Sequence, residues 1–269
     1  MRRSMVAPLC AVLLLAVVAG GCSTFKALKA RDQLNKGVEA YRNAKFQVAI
    51  EHFKSAIELD PGLINARLYL ATAYAQQYVP GGDSQENVKT GQQAIDAFGN
   101  VLKLDPKNTT AMASIGQIYY NMKDFDKAKE FQRDRLEVEP NNPEPYYWIG
   151  VIDWAQCFQR DGTIRKNLNL MLPDRRGELP PLPEKARAQL EEQNSKLVDE
   201  GIDALNKSLG LKPNDFNTMA YLNLMYRQKA DIEKSKTDRE ADLKMADGWQ
   251  EKAMELRKST PQKSSTQGS

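Results

Sequence analysis

The chain has 269 residues, with 38 Lys and Arg against 35 Asp and Glu, and a formal net charge of +3. This length is enough for a large hydrophobic core, either in one domain or in a longer array of repeats. The near balance of charge excludes the strong positive field by which proteins bind nucleic acids or anionic membranes. A single histidine and three scattered cysteines exclude a His/Cys zinc cluster and a disulfide scaffold.

The amino terminus has the parts of an export signal. Arg2 and Arg3 form a basic head, an apolar run follows from Met5 to Ala19, and two glycines then precede Cys22. The apolar run is shorter than the ~20 residues that a membrane-spanning helix needs. We therefore predict a signal peptide over 1–21.

The residues from Ala19 to Cys22 resemble the lipobox of bacterial lipoproteins, with Ala19 in the place where leucine is usual. In that family the cysteine thiol receives a diacylglyceryl group and the chain is cut just before it. The resemblance implies that Cys22 is a lipid anchor and that 22–29 is a tether; the alternative is a conventional signal peptide cut near Gly20. Ser23 beside the cysteine is similar to enterobacterial outer-membrane lipoproteins, which implies an outer-membrane location facing the periplasm.

The stretch 30–63 has the pattern of two antiparallel helices. Gly37 and Ala49 are small residues where two helices can cross, Phe53 is an aromatic residue where neighbouring pairs can meet, and Pro61 stops the second helix. Their order and spacing resemble a tetratricopeptide repeat (TPR), a helix hairpin of ~34 residues. One hairpin cannot bury its apolar face alone, so the resemblance implies that further copies follow.

Four prolines mark the ends of successive hairpins. Pro106 and Pro140 are 34 residues apart, whereas 45 residues separate Pro61 from Pro106 and 73 separate Pro140 from Pro213, so these two intervals contain insertions. We predict an all-α fold, a right-handed α-solenoid of about five TPR hairpins. Its units are 30–63, 64–108, 109–142, 143–215 and 216–258, with insertions at about 78–90 and 159–198, and residues 259–269 form a disordered tail.

The fourth unit departs most from the repeat pattern. Its first helix is predicted to end near Phe158, and a proline-rich loop separates it from a second helix that begins early, at Glu184. We expect this second helix to project beyond its neighbours, and homo-oligomerisation through it is one structural possibility. Asp153 and Asp161 resemble the unpaired aspartates of many such repeats, and Cys157 is interpreted as buried filler.

In the repeat family, one face of the first helices lines a concave groove that binds peptides or helices. When the groove positions of the family are matched to this chain by repeat position, the resemblance implies a groove with aromatic, arginine and amide side chains. Aromatic residues and arginine are enriched at binding hot spots. The alternative is that some of the aromatic residues belong to the core between units. The predicted groove residues are Tyr41, Arg42, Gln76, Gln117, Tyr120, Asn121, Tyr147, Trp154 and Arg227. The same repeat positions also hold Arg31, Leu34, Val38, Asn65, Leu68, Thr72, Ala75, Thr110, Ala113, Glu144, Val151, Ala155, Asn217, Ala220, Leu224 and Gln228.

These features predict a lipid-anchored interaction module of the bacterial cell envelope, which binds protein or peptide partners as a scaffold or assembly factor. Two more specific functions are an outer-membrane assembly component and a pilotin-like lipoprotein. Analogy of fold does not distinguish between them. A periplasmic enzyme is disfavoured, because the sequence has neither a nucleophile elbow nor a cluster of metal ligands. We predict no catalytic or metal-binding residue, no cofactor, no nucleic-acid partner and no small-molecule substrate.

Overall fold

A computed structural model describes residues 7–172 and 179–259, with side chains from residue 24 onward. Over these ranges the chain forms ten helices and no strand, which confirms the predicted all-α fold class. The helices are α1 (Ala7–Arg42), α2 (Phe46–Leu59), α3 (Ile64–Ala75), α4 (Gln85–Leu102), α5 (Thr109–Asn121), α6 (Phe125–Val138), α7 (Pro143–Asn167), α8 (Glu184–Leu211), α9 (Phe216–Ile232) and α10 (Lys236–Ser259).

Each of the four predicted helix-ending prolines follows a helix end. Helices α2, α4, α6 and α8 all end before the proline that was assigned to them. Proline has no backbone N–H, and it disfavours the helical conformation in the residue before it. Capping side chains start the next helices: Asn142 accepts a hydrogen bond from the backbone N–H of Glu144 at 3.0 Å, and Asp215 accepts one from Asn217 at 3.3 Å.

The chain divides into two compact units, Met1–Met122 and Lys123–Ser269. In the first unit α1 packs against α2, and α3 against α4, with α2 also contacting α3 and α4 contacting α5. Phe53 of α2 is fully buried, stacks on Tyr69 of α3 with ring centroids 5.6 Å apart, and lies where a Cβ on Gly37 would overlap its ring. Small Gly37 thus permits the close approach of α1 and α2.

The second unit contains α6–α10. Helix α7 packs against α6, α8 and α9, and α9 packs against α8 and α10. Its buried core includes Cys157, Leu190, Leu205, Leu222 and Met225. The boundary between the units falls in the turn between α5 and α6, inside the predicted third hairpin.

Helix α7 is longer than expected. It continues to Asn167, so the segment predicted as an insertion from 159 begins as helix. The first turns of α8 do not project: Leu190, Asn194 and Val198 are buried, and Asn194 Nδ2 donates a hydrogen bond to the carbonyl oxygen of Cys157 at 3.3 Å. The expectation of a projecting helix is therefore wrong, because the lengthened α7 covers the early turns of α8.

Other observed helix boundaries differ from the predicted segments by smaller amounts. Helix α4 begins at Gln85, capped by Ser84, so part of the predicted insertion at 78–90 is helical. The predicted tether 22–29 lies within α1. The first six residues of the predicted signal peptide and residues 260–269 of the predicted tail lie outside the described ranges. Among the helices that are described, none has an apolar stretch long enough to cross a membrane.

Candidate functional site

The predicted groove residues of the first unit lie at helix ends and on α5. Tyr41 packs edge-on against Phe46, with ring centroids 5.4 Å apart, and belongs in part to the core of the first hairpin. Arg42 is exposed at the end of α1, and Gln76 is exposed at the end of α3. Arg42 and Gln76 are therefore accessible, whereas much of the Tyr41 ring is used for packing.

Three further predicted residues share helix α5. Gln117, Tyr120 and Asn121 are all half-buried, and Gln117 Nε2 donates a hydrogen bond to Asn121 Oδ1 at 3.3 Å. The two amides still have other donor and acceptor positions, since a carboxamide offers two donors and an acceptor with two lone pairs. This pair can therefore bond to a guest without losing its internal contact.

In the second unit, Tyr147 and Trp154 lie two turns apart on α7 and contact the same ring on α9. The Tyr221 ring centroid is 5.6 Å from that of Tyr147 and 5.4 Å from that of Trp154, both in edge-on geometry. Trp154 also stacks on Phe158 at 5.1 Å. These aromatic residues serve the contact between α7 and α9 and are only partly available to a guest.

A cavity of about 180 Å³ brings Trp154 and Arg227 together. Arg227, on α9, donates through Nη2 to Asp247 Oδ1 of α10 at 2.7 Å. We call this space the Trp154 cavity. Its apolar lining is Trp154, Phe158, Leu179, Leu224 and Leu243.

Two polar residues in the walls of the Trp154 cavity each have a buried atom without a hydrogen-bond partner. Gln228 is only 6% exposed, and its Oε1 has no hydrogen-bond partner among the described residues. The buried Nε of Arg239 likewise has no partner in that part of the chain. A buried polar atom without a partner costs roughly 1–3 kcal/mol of stability. Both atoms are buried away from solvent, so they do not line the open space of the cavity.

An ion-pair network forms one side of the cavity. Arg165 is fully buried; its Nε lies 2.9 Å from both carboxylate oxygens of Asp161, and its Nη2 lies 2.8 Å from Asp231 Oδ1. Its Nη1 also donates to the carbonyl oxygen of Pro180 at 2.7 Å. Burial raises the pKa of Asp161 and of Asp231, against the opposing effect of Arg165. The network joins α7, α9 and the loop before α8, which fixes this wall of the cavity.

A larger cavity of about 680 Å³ adjoins the same wall. It lies between the start of α8 and the connection from α9 to α10, and shares Asp231 and Arg239 with the Trp154 cavity. Its walls are mostly charged, and several of the charges are paired: Arg187 Nη1 lies 2.9 Å from Glu191 Oε2, and Lys234 Nζ lies 3.2 Å from Glu191 Oε1. Because these side chains are paired, fewer charged groups are free to bind a ligand than the size of the cavity suggests.

A second buried network joins α6, α7 and α8. Lys129 Nζ pairs with Asp153 Oδ1 and lies 3.1 Å from Glu200 Oε2, and Arg133 lies 2.5 Å from the other oxygen of Glu200. Burial raises the pKa of Asp153 to about 7, which Lys129 opposes. The interpretation of Asp153 and Asp161 as unpaired aspartates is therefore wrong; both are buried in ion pairs.

Cys157 and the possible metal ligands are the groups to consider for catalysis in the described part of the chain. They contain no group of three or more His, Cys, Asp or Glu side chains that could hold a metal ion. Cys157 is fully buried, as expected for filler, and burial raises its thiol pKa to about 12. A thiol with that pKa is protonated at neutral pH and is a poor nucleophile.

Sequence reasoning identified part of the Trp154 cavity. Trp154, Leu224, Arg227 and Gln228 were all placed on one face by the repeat register. It missed Arg239 and Leu243, because both lie on α10, a second helix of its hairpin, whereas the predicted groove residues all come from first helices. No local pattern marks these two residues, since their role depends on how α10 packs on α9.

Comparison with known proteins supports the repeat interpretation. Residues 89–148 match the family model described as a tetratricopeptide repeat. The chain is 30% identical over 115 residues to the Hsp70-Hsp90 organizing protein of Triticum aestivum, which is 43% of this chain and 18% of that protein. It is 28% identical over 115 residues to Hsp70-Hsp90 organizing protein 3 of Arabidopsis thaliana, covering 43% and 19%. The aligned region is thus only about a fifth of the length of these relatives.

Solved structures resemble a larger part of the chain. A crystal structure of MamA protein has a TM-score of 0.55 at 14% identity, covering 86% of this chain and 92% of that one. MamA from Desulfovibrio magneticus RS-1 gives 0.56 at 18% identity, covering 86% and 97%. The fold is of the TPR type. At such low identity these structures show the fold alone.

Proposed function

We propose that this chain is a lipid-anchored TPR interaction module of the bacterial cell envelope, which binds protein partners as a scaffold or assembly factor. The observation that supports the protein-binding part of this proposal is the combination of helix hairpins with the repeat match over 89–148. Stacked hairpins present one face of their first helices along an extended surface, which suits protein binding. The Hsp70-Hsp90 organizing proteins, by their name, act on other proteins, which agrees with this role.

The exposed chemistry of the first helices fits a peptide or protein guest. Arg42 and Gln76 are exposed, and the α5 amides Gln117 and Asn121 are half-buried at an accessible position. Amide side chains can bond to the backbone of an extended guest, and arginine and aromatic residues are enriched at hot spots. A role without catalysis agrees with the named relatives, which are organizing proteins.

The location rests on the amino-terminal sequence. Cys22 after a basic head and an apolar run supports lipid attachment, and Ser23 supports an outer-membrane location facing the periplasm. Two or more acyl chains anchor a protein stably, whereas one chain gives only marginal binding. An outer-membrane assembly factor or a pilotin-like lipoprotein would both need this tether.

Metabolic labelling with palmitate tests the anchor. We expect the wild-type chain to be labelled and to fractionate with the outer membrane, and Cys22→Ala to lose the label. Cys10→Ala is the matched control, because it removes a thiol from the same amino-terminal segment without touching the predicted attachment site. Label that survives in Cys22→Ala, or no label in the wild type, would remove the lipid anchor from the proposal.

A further inference from the structure

The first turn of α1 after Cys22 exposes two large apolar side chains. Phe25 is 57% exposed and Leu28 is 66% exposed. A helix turns by about 100° per residue, so these two side chains, three residues apart, share one side of α1. The fully buried Ala30 lies about 140° round the helix from Phe25. The core between α1 and α2 therefore leaves the pair uncovered.

Three cations border this apolar pair. Lys26, Lys29 and Arg31 are exposed, and the range 23–31 contains no acidic residue. The Nζ of Lys29 lies 4.5 Å from the centroid of the Phe25 ring, so this lysine extends along the apolar surface. Such a side chain can bury its apolar stem while its charge stays in the polar layer. Exposed apolar residues beside lysine and arginine are typical of helices that lie at a membrane surface.

The position of the pair distinguishes a lipid surface from a second copy of the chain. Phe25 follows Cys22 by three residues, which is about 4.5 Å along a helix, so an acyl group on Cys22 would hold this turn beside the lipid. Each lysine or arginine close to an anionic membrane surface favours adsorption about fivefold. A stable contact with a second copy would instead need an interface of roughly 1,200–2,000 Å², far more than two side chains supply.

We propose that Phe25 and Leu28, with the cations Lys26, Lys29 and Arg31, form a membrane-contact face that seats the start of α1 on an anionic phospholipid surface. This inference rests on the lipid anchor of the proposed function and adds a direct contact between the folded chain and the lipid. The two apolar side chains enter the boundary between headgroups and acyl chains, and the cations stay among the headgroups. The segment predicted as a tether is then a helix held at the membrane surface.

Quenching of tryptophan fluorescence by brominated lipid tests this contact. The full chain, expressed in a bacterial host and purified in detergent, is reconstituted into vesicles of equal parts phosphatidylcholine and phosphatidylglycerol, with or without bromine on the acyl chains. Phe25→Trp reports on the membrane-contact face, and the wild type supplies the background of the three native tryptophans. Val48→Trp is the matched control, because Val48 is an exposed apolar residue of α2 at the end of the same hairpin away from Cys22. We expect bromine to quench the added fluorescence of Phe25→Trp but not that of Val48→Trp.

Two further changes test the apolar and the charged parts of the face. Leu28→Ser, combined with Phe25→Trp, removes the second apolar side chain and should at least halve the quenching. Leu104→Ser makes the same exchange at an exposed position after α4 and should leave the quenching unchanged. Vesicles of phosphatidylcholine alone should also reduce the quenching of Phe25→Trp, because they remove the negative charge that attracts the three cations.

Flotation of the same vesicles separates the membrane-contact face from the lipid anchor. A chain that floats with the vesicles but shows equal quenching in Phe25→Trp and Val48→Trp, or no effect of Leu28→Ser or of phosphatidylglycerol, would overturn the face and leave the anchor. Blue-shifted emission of Phe25→Trp without quenching by bromine would show that protein covers the face, which also overturns the inference. Quenching of Phe25→Trp in a chain that carries no palmitate label would leave the face and overturn the anchor. A chain that does not float would overturn both.

Discussion

Lys129, Asp153 and Glu200 place three charges where α6, α7 and α8 meet, and Asp153 is completely buried. Asp153 Oδ2 has no hydrogen-bond partner among the described residues, so the carboxylate is stabilised mainly by Lys129 at its other oxygen, with a smaller effect of the charge of Arg133. Removing a charge from water is expensive even when the charge is paired. This explains why burial dominates the raised pKa of Asp153.

The raised pKa of Asp153 gives a stability prediction. A carboxyl whose pKa is about 7 in the folded chain, against 3.8 ordinarily, binds its proton more tightly when folded. Its contribution to the free energy of unfolding is therefore fully present below about pH 4 and is lost as the pH rises towards 7. Asp161 and Asp231 act in the same direction. The wild-type chain should lose free energy of unfolding between pH 4.5 and 7.5, and in Asp153→Asn this loss should be smaller by about 2–4 kcal/mol.

Urea unfolding at a series of pH values measures this effect. Asp203→Asn is the matched control, because Asp203 is an exposed aspartate on α8. The control should lose stability with pH as the wild type does. Equal pH dependence in Asp153→Asn and Asp203→Asn would show that the buried carboxylate does not titrate in this range.

At the level of single helices, the main feature is that two helices come close together where one of them has a glycine. A Cβ at Gly150 of α7 would overlap the side chain of Leu205 of α8, whereas a Cβ at Gly162 of the same helix would meet nothing within 4 Å. The same substitution therefore has opposite expected effects at two positions of one helix.

Gly150→Ala should lower the free energy of unfolding by roughly 1–3 kcal/mol, because an added methyl group must displace the fully buried Leu205. Gly162→Ala should leave it unchanged or raise it by up to about 1 kcal/mol, since alanine is the better helix former. Thermal and urea unfolding of both variants provide the measurement. A Gly150→Ala variant as stable as Gly162→Ala would mean that α7 and α8 are not in close contact there.

The sequence predicts where the helices end better than it predicts which helices pack against each other. Prolines and capping residues act on their immediate neighbours, so the ends of α2, α4, α6 and α8 could be predicted locally. The extra turns of α7 could not, because Arg165 there depends on Asp231, which lies on α9. The Trp154 cavity shows the same division. Repeat register located Trp154 and Gln228, whereas Arg239 enters only through the packing of α10.

At the scale of the whole molecule, the repeat pattern determines which helices are available to partners. In the first unit, α1, α3 and α5 carry the predicted groove residues, and in the second unit α7 and α9 carry them. Some of these residues also serve packing, as Tyr41 and Tyr147 do. The exposed positions are therefore the better reporters of partner binding, since changing them leaves the core intact.

The most direct test of protein binding through the first helices is photo-crosslinking in living cells. Benzoylphenylalanine is introduced at Arg42 or Gln76, which are exposed at first-helix ends, and at Glu51 or Lys207, which are exposed on the second helices α2 and α8. Mass spectrometry then identifies the crosslinked proteins. We predict that Arg42 and Gln76 capture a common partner that Glu51 and Lys207 do not. Equal capture from all four positions, or capture from the second-helix positions alone, would contradict the account.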